Sequence, residues 1–100
     1  MLNIKENETL KNLGLRLKNA RLERNDPQKE FAVRIRVSIP TLYKMEQGHP
    51  SVSMGAWVKA LSMLGRLEDM DQLIGLKESL FARYEALEKI KNRRRAKRKA

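Results

Sequence analysis

Helix start and stop signals recur along this chain at short intervals, and that punctuation restricts it to an all-α fold built from short helices. Apolar residues return every three or four positions, and no stretch alternates apolar with polar side chains for long. Thr9 is a good cap, so the spacing predicts a first helix from there to about Asn25, with Leu10, Leu13, Leu17 and Ala20 on its core face. Leu15 and Leu22 form a thinner second stripe that points to a later helix or to a partner. Asp26-Pro27 starts a second helix, with Asp as cap and Pro at the first helical position. Phe31, Ala32 and Ile35 face inward on it, and it ends near Ile35 or Arg36. A third helix begins at Ser38, or at Ile39-Pro40, because proline disfavours helical geometry in the residue before it. Gly48 terminates it, with His49-Pro50 behind.

Ser53 caps a fourth helix that runs through Leu64 to a stop at Gly65. Its inward residues are expected to be Met54, Trp57, Val58, Leu61 and Leu64. A short fifth helix is expected from about Glu68 to Ile74, with Glu68, Asp69 and Asp71 in its first turn and Gly75 as breaker. A sixth, from about Lys77 to Asn92, carries Leu80, Phe81, Tyr84, Leu87 and Ile90 as an apolar stripe on a charged rod.

Charge narrows the partners. The chain has 22 basic and 12 acidic side chains, a net charge of +10. The last ten residues, KNRRRAKRKA, hold seven of the basic groups and no acid. The other ninety keep 15 basic against 12 acidic groups, a net +3. A mildly basic body with an intensely basic end suits a polyanion, and nucleic acid fits best. The plainer alternative is a tail that only keeps the chain soluble. As a block of like charge, residues 92–100 are expected to be disordered when free.

Other classes recede. There is no cysteine, hence no disulfide, thiolate metal site or cysteine nucleophile. The apolar runs are too short for a membrane span, and MLNIKENETL lacks the features of a signal peptide. A soluble, cytoplasmic protein is the expectation. The sole histidine, His49, stands in a loop, where it serves as a turn residue or phosphate contact rather than a base. Glu68, Asp69 and Asp71 are explained by a helix start better than by a metal, so no catalytic group, metal or cofactor is expected.

The most informative segment is Gln28 to Gly48. Two short helices flank Arg36-Val37-Ser38; Ala32 sits near their crossing, Val37 plugs the space between them, and Leu42 and Met45 dock the second. This is a helix-turn-helix layout, whose second helix enters a DNA major groove about 12 Å wide. Residues 13–65, LGLRLKNARLERNDPQKEFAVRIRVSIPTLYKMEQGHPSVSMGAWVKALSMLG, resemble the Cro/phage-repressor (Xre) helix-turn-helix family. The resemblance rests on Leu13-Gly14, Arg21, Gln28, Glu30, Ala32, Val37-Ser38, Thr41, Glu46-Gln47-Gly48 and Leu64-Gly65 in register. It implies a lambda-repressor-like bundle at residues 9–66, a helical extension at 67–91 and a basic tail at 92–100.

The resemblance also implies roles. Gln28 reaches the DNA backbone or a base edge, and Ser38, Ile39, Pro40, Thr41, Tyr43 and Lys44 lie on the groove-facing part of the third helix. Arg21 and Glu46 match the family's buried Arg–carboxylate pair; the plain alternative is a surface bridge worth about 0–1 kcal/mol. The family has glycine in the turn where this chain has Arg36, so either the turn differs or Arg36 takes a left-handed conformation and compensates by touching phosphate. Ile39 and Pro40 replace residues that hydrogen-bond to bases, and pack either on thymine methyls or locally.

Members of this family dimerise on palindromic operators. Leu73, Ile74, Leu76, Leu80, Phe81, Tyr84 and Leu87 are expected to form a dimer or partner interface, or else to pack within the chain on Leu15 and Leu22. Arg93, Arg94, Arg95, Lys97, Arg98 and Lys99 are expected to follow phosphates. KALSMLGRLEDMDQLI and the basic end resemble HipB-type antitoxins. That implies a bacterial, nucleoid-associated repressor of its own operon that also binds a HipA-like kinase toxin. Alternatives are a phage-type repressor, or an adaptor or coactivator that uses the bundle to bind protein.

Overall fold

The computed structural model describes residues 1–75 and 80–99, with side chains described over 1–75 and 84–93. Among the described residues there are six helices and no strand: α1 (Ile4–Glu23), α2 (Gln28–Arg34), α3 (Ile39–Glu46), α4 (Met54–Met63), α5 (Leu67–Asp71) and α6 (Leu80–Lys99). The all-α expectation therefore holds.

α1 starts well before Thr9. Asn3 and Glu6 form a reciprocal cap: the Glu6 N–H donates to Asn3 Oδ1 at 2.8 Å, and the Asn3 N–H donates to Glu6 Oε1 at 2.9 Å. Thr9 is inside the helix, its hydroxyl donating to the Lys5 carbonyl at 3.0 Å. α2 begins one residue later than expected, with Pro27 at the cap position and no side-chain cap bond. Asp26 is drawn away by cations, pairing with Arg24 Nε at 3.1 Å and Arg34 Nη1 at 3.2 Å. Ser38 and Ser53 cap α3 and α4 as anticipated, accepting from the N–H groups of Thr41 and Ala56.

The core joins Leu17 of α1, Phe31, Ala32 and Ile35 of the second helical segment, Leu42 and Met45 of α3, and Ala56, Trp57 and Ala60 of α4. Leu13, Val37, Leu64 and Met70 pack against it, so the turn residue Val37 does plug the space between α2 and α3. On α4 Trp57 is buried and Leu61 and Leu64 are half-buried as expected, but two of the expected inward residues are not. Met54 and Val58 face outward, while Ala56 and Ala60 turn in. Small side chains give a weak apolar signal in sequence, yet they let α4 approach closely. Leu15 and Leu22 remain about half exposed, so no described side chain covers them.

α5 begins at Leu67 and stops at Asp71, with Ile74 in a left-handed conformation at φ 58°. α6 carries through residues 92–99, where a tail free of regular structure was expected. Arg, Lys and Ala are strong helix formers, and here that preference outweighs like-charge repulsion. Leu76, and the side chains of Leu80, Phe81, Arg94, Arg95, Lys97, Arg98 and Lys99, lie outside the described residues.

Four helices end by the same closure. In each, the residue after the cap is left-handed, and two N–H groups return to carbonyls of the last turn. At α3, Gly48 N–H donates to the Met45 carbonyl and His49 N–H to that of Lys44; at α2, Arg36 N–H donates to Val33 and Val37 N–H to Ala32. The left-handed residues are Asn25, Arg36, Gly48 and Gly65. Arg36, at φ 57°, carries a steric cost of about 1–2 kcal/mol that glycine avoids. Arg36→Gly is thus expected to raise stability by about 0.5–1 kcal/mol once glycine's extra unfolded-state entropy is subtracted, and to raise the midpoint of thermal unfolding accordingly. A calorimetric melt checks this, and a lowered midpoint contradicts it.

Candidate nucleic-acid interface

α3 divides cleanly into two faces. Leu42, Met45 and Glu46 point inward and are buried. Ile39, Pro40, Tyr43, Lys44 and Gln47 are exposed and, with Gln28 and His49, line one shallow groove of about 530 Å³. The positions 40, 43, 44 and 47 follow helical spacing, so one stripe of the rod faces solvent. Among the expected DNA contacts, Gln28, Ile39, Pro40, Tyr43, Lys44 and His49 are therefore brought together. Gln47 joins them although it was not singled out; its spacing from Tyr43 and Lys44 was the available signal.

Three expected contacts sit elsewhere. Ser38 is spent as the α3 cap, and its hydroxyl donates to Thr41 Oγ1 at 2.9 Å. Thr41 is half-buried, because on an eight-residue helix its position lies beside the core face rather than opposite to it. Arg36 lines a different groove, with Val58 and Lys59 of α4, because its left-handed backbone directs it toward that side.

The rod is held at its C-terminal end by close backbone contact. A Cβ on Gly14 of α1 would stand 2.5 Å from the Met45 carbonyl oxygen, 2.6 Å from that of Glu46 and 2.7 Å from the Gly48 nitrogen. Only hydrogen fits there. Beside this contact lies the Arg21–Glu46 pair, with side chains 7% and 2% exposed, so it is a buried pair and not a surface bridge. Arg21 Nε donates to Glu46 Oε2 at 2.7 Å, Nη2 to Oε1 at 3.1 Å, and Nη1 to the Asp26 carbonyl at 2.8 Å. One guanidinium thus ties α1 to α3 and to the turn that leads into α2.

The pair also fixes a groove residue. Gln28 Nε2 donates to Glu46 Oε1 at 3.0 Å. Because a carboxylate only accepts here, the amide orientation follows: one N–H is committed to Glu46, leaving the other N–H and the carbonyl for a ligand. No buried side-chain polar atom among the described residues lacks a partner.

His49 is oriented in the same manner. The Ser51 N–H donates to His49 Nδ1 at 3.1 Å, and the Ser51 hydroxyl lies 2.7 Å from the same atom. A ring nitrogen that accepts a backbone N–H carries no hydrogen, so the neutral ring bears it on Nε2. The groove thereby holds a lysine ammonium, two amides, a phenol and an imidazole N–H around the apolar Ile39 and Pro40. That set can donate to phosphate oxygens, read base edges and touch thymine methyls.

Of the residues expected at an interface beyond the bundle, Leu73, Ile74, Tyr84 and Leu87 are exposed, and so is Arg93 of the basic end. Among the described residues no group of three or more His, Asp or Glu is placed to hold a metal. No described helix is long and apolar enough to cross a membrane.

A family model described as a helix-turn-helix domain matches residues 12–73. That span runs from α1 to just past α5 and includes every residue of the groove. No curated protein and no solved structure gives a match to the chain.

Proposed function

Since the chain belongs to the helix-turn-helix domain family, the mark of a DNA-binding regulator, we propose that it is a sequence-specific transcriptional repressor that lays α3 in the major groove of duplex DNA. The observation that carries this reading is the exposed stripe of α3, Pro40, Tyr43, Lys44 and Gln47, flanked by Gln28 and His49 and fixed from behind by a buried ion pair. A rigid support matters because base discrimination needs donors placed before the DNA arrives. Two copies on a palindromic operator bring two such rods to successive major grooves, about one helical turn apart.

In its fuller form the reading is an antitoxin that represses its own operon and binds a HipA-like kinase toxin. Its support is the resemblance of KALSMLGRLEDMDQLI and the basic end. The exposed Tyr84 and Leu87 of α6 are then available to that partner. Footprinting the full chain on DNA upstream of its own gene, beside co-purification from its native cells, tests both parts. A protected palindrome supports the repressor, and a co-purified kinase-like protein supports the antitoxin. Weak, salt-sensitive binding with no footprint favours a protein-binding adaptor instead.

The basic end contributes affinity without selectivity. Each phosphate neutralised adds about −0.9 to the slope of log affinity against log salt. Deleting residues 92–100 is expected to flatten that slope while leaving sequence preference in place. Binding isotherms between low and moderate salt check it, and an unchanged slope removes the tail from the interface.

A further inference from the structure

A cleft of about 500 Å³ lies between α1, the loop that leads into α4, α4 itself and α5. Leu13 of α1, Trp57 and Leu61 of α4, Met70 of α5 and Leu73 just beyond it give the cleft apolar walls. Arg16, His49 and Asp69 add charged and polar groups. An apolar cavity of this size with a few polar groups at its margin has the make-up of a small-molecule site, for which about 300–1,000 Å³ is usual. The cleft also has a direction. Gly48 packs on the backbone of Leu10, so Leu10 and His49 mark one end. Arg16 and Asp69 mark the other, where a smaller recess continues to Ala20 and Arg66.

Two of the three polar groups are already engaged. Asp69 Oδ2 accepts from Arg66 Nε at 2.8 Å, and His49 Nδ1 accepts from the Ser51 N–H. Arg16 is different. Among the described residues the ion pairs are Arg21–Glu46, Arg24–Asp26, Arg34–Asp26 and Arg66–Asp69, and Arg16 takes part in none of them. It is exposed at the rim, one guanidinium above an apolar floor. With Arg66 balancing Asp69, the charged end of the cleft carries a net positive charge.

We propose that this cleft binds a small apolar carboxylate, its acid group on Arg16 and its tail along Trp57, Met70 and Leu73 toward His49. The inference goes beyond DNA binding and does not depend on it. The guanidinium fork matches the two oxygens of a carboxylate. A singly charged head suits the site because the Asp69 carboxylate lies at the same end and opposes a second negative charge. The walls ask only for apolar area, and the flexible thioether of Met70 adjusts to tails of different shape. An apolar cation is the wrong ligand, since it meets Arg16 with like charge.

Trp57 is the only tryptophan of the chain and stands in the cleft wall, so its fluorescence reports on occupancy. The test titrates the full chain with decanoate, kept below its micelle concentration, and with decanol and decylammonium as probes of the same tail and different charge. Decanoate is expected to change the Trp57 emission saturably and to bind more tightly than either of the others. Arg16→Gln is expected to weaken decanoate binding about fivefold, the upper end for an exposed ion pair, and to leave decanol binding as it was. Leu73→Asp, at an exposed position of the wall, is expected to weaken decanoate and decanol alike. Thermal melts show that both variants are folded. No saturable change with decanoate overturns the proposal. So does equal binding of all three probes, which is adsorption to apolar surface, and so does tighter binding of decylammonium, which assigns the charged end to Asp69. Wild-type decanoate affinity in a folded Arg16→Gln variant overturns it as well.

Discussion

Gly14→Ala is expected to prevent the chain from folding as it does here. The new methyl would sit 2.5–2.7 Å from three backbone atoms of the Met45–Gly48 turn, and none of these is the movable end of a side chain. Overpacking a core costs about 1–3 kcal/mol when side chains yield. Here the backbone of α1 or α3 has to shift, so the loss lies at or above the top of that range. For a domain of this size each kcal/mol lowers the unfolding midpoint by about 4–8 °C. Circular dichroism melts are expected to show a drop of about 12 °C or more, or no cooperative transition at all. DNA binding falls with it, because Gly14 supports the turn just behind Lys44 and Gln47. A melt within a few degrees of wild type contradicts the close contact.

Glu46→Ala is the second large effect. It strands the Arg21 guanidinium, whose side chain is 7% exposed, without its carboxylate. Removing one member of a buried pair costs about 3–5 kcal/mol, mostly for the charge left unpaired. The joint variant Arg21→Met with Glu46→Leu removes both charges and is expected to recover much of that stability, because apolar replacements of buried pairs are often near neutral. It does not recover the Gln28 tether, since the bond to Glu46 Oε1 is gone in either case. Stability and DNA selectivity therefore separate: the joint variant melts close to wild type but reads the base step at Gln28 less sharply. A joint variant as unstable as Glu46→Ala contradicts the first half of this account. Unchanged selectivity in a folded joint variant contradicts the second.

Much of this was legible in the sequence because the relevant physics is local. Ser38, Ser53, Gly48 and Gly65 mark helix ends through their own side chains or lack of one, and the structure uses all four that way. Arg21 and Glu46 stood 25 residues apart, yet the resemblance joined them. What could not be read depends on rotation and reach. On α4 the sequence pattern finds Trp57, Leu61 and Leu64 but prefers Met54 and Val58 to Ala56 and Ala60, because larger side chains signal more strongly. The α1 start was missed because Thr9 caps well in isolation, while Asn3 with Glu6 caps from both directions. Thr41 was assigned to the groove by its place in the motif; its actual azimuth, beside the core face, emerges only once α3 is docked. The Gln28–Glu46 bond is tertiary and leaves no pattern in the chain.

The central claim is that the outward stripe of α3 meets duplex DNA. Tyr43 and Lys44 are both exposed, so Tyr43→Ala with Lys44→Ala leaves the core untouched. A good bidentate base contact is worth about 1–3 kcal/mol of discrimination, and a phosphate contact adds affinity without selectivity, so the double variant is expected to bind a selected duplex about tenfold more weakly or worse and to lose base preference. Fluorescence anisotropy on DNA selected by the wild-type chain, with matched melts for both proteins, makes the measurement. A folded double variant that binds the same duplex with wild-type affinity and selectivity contradicts the account.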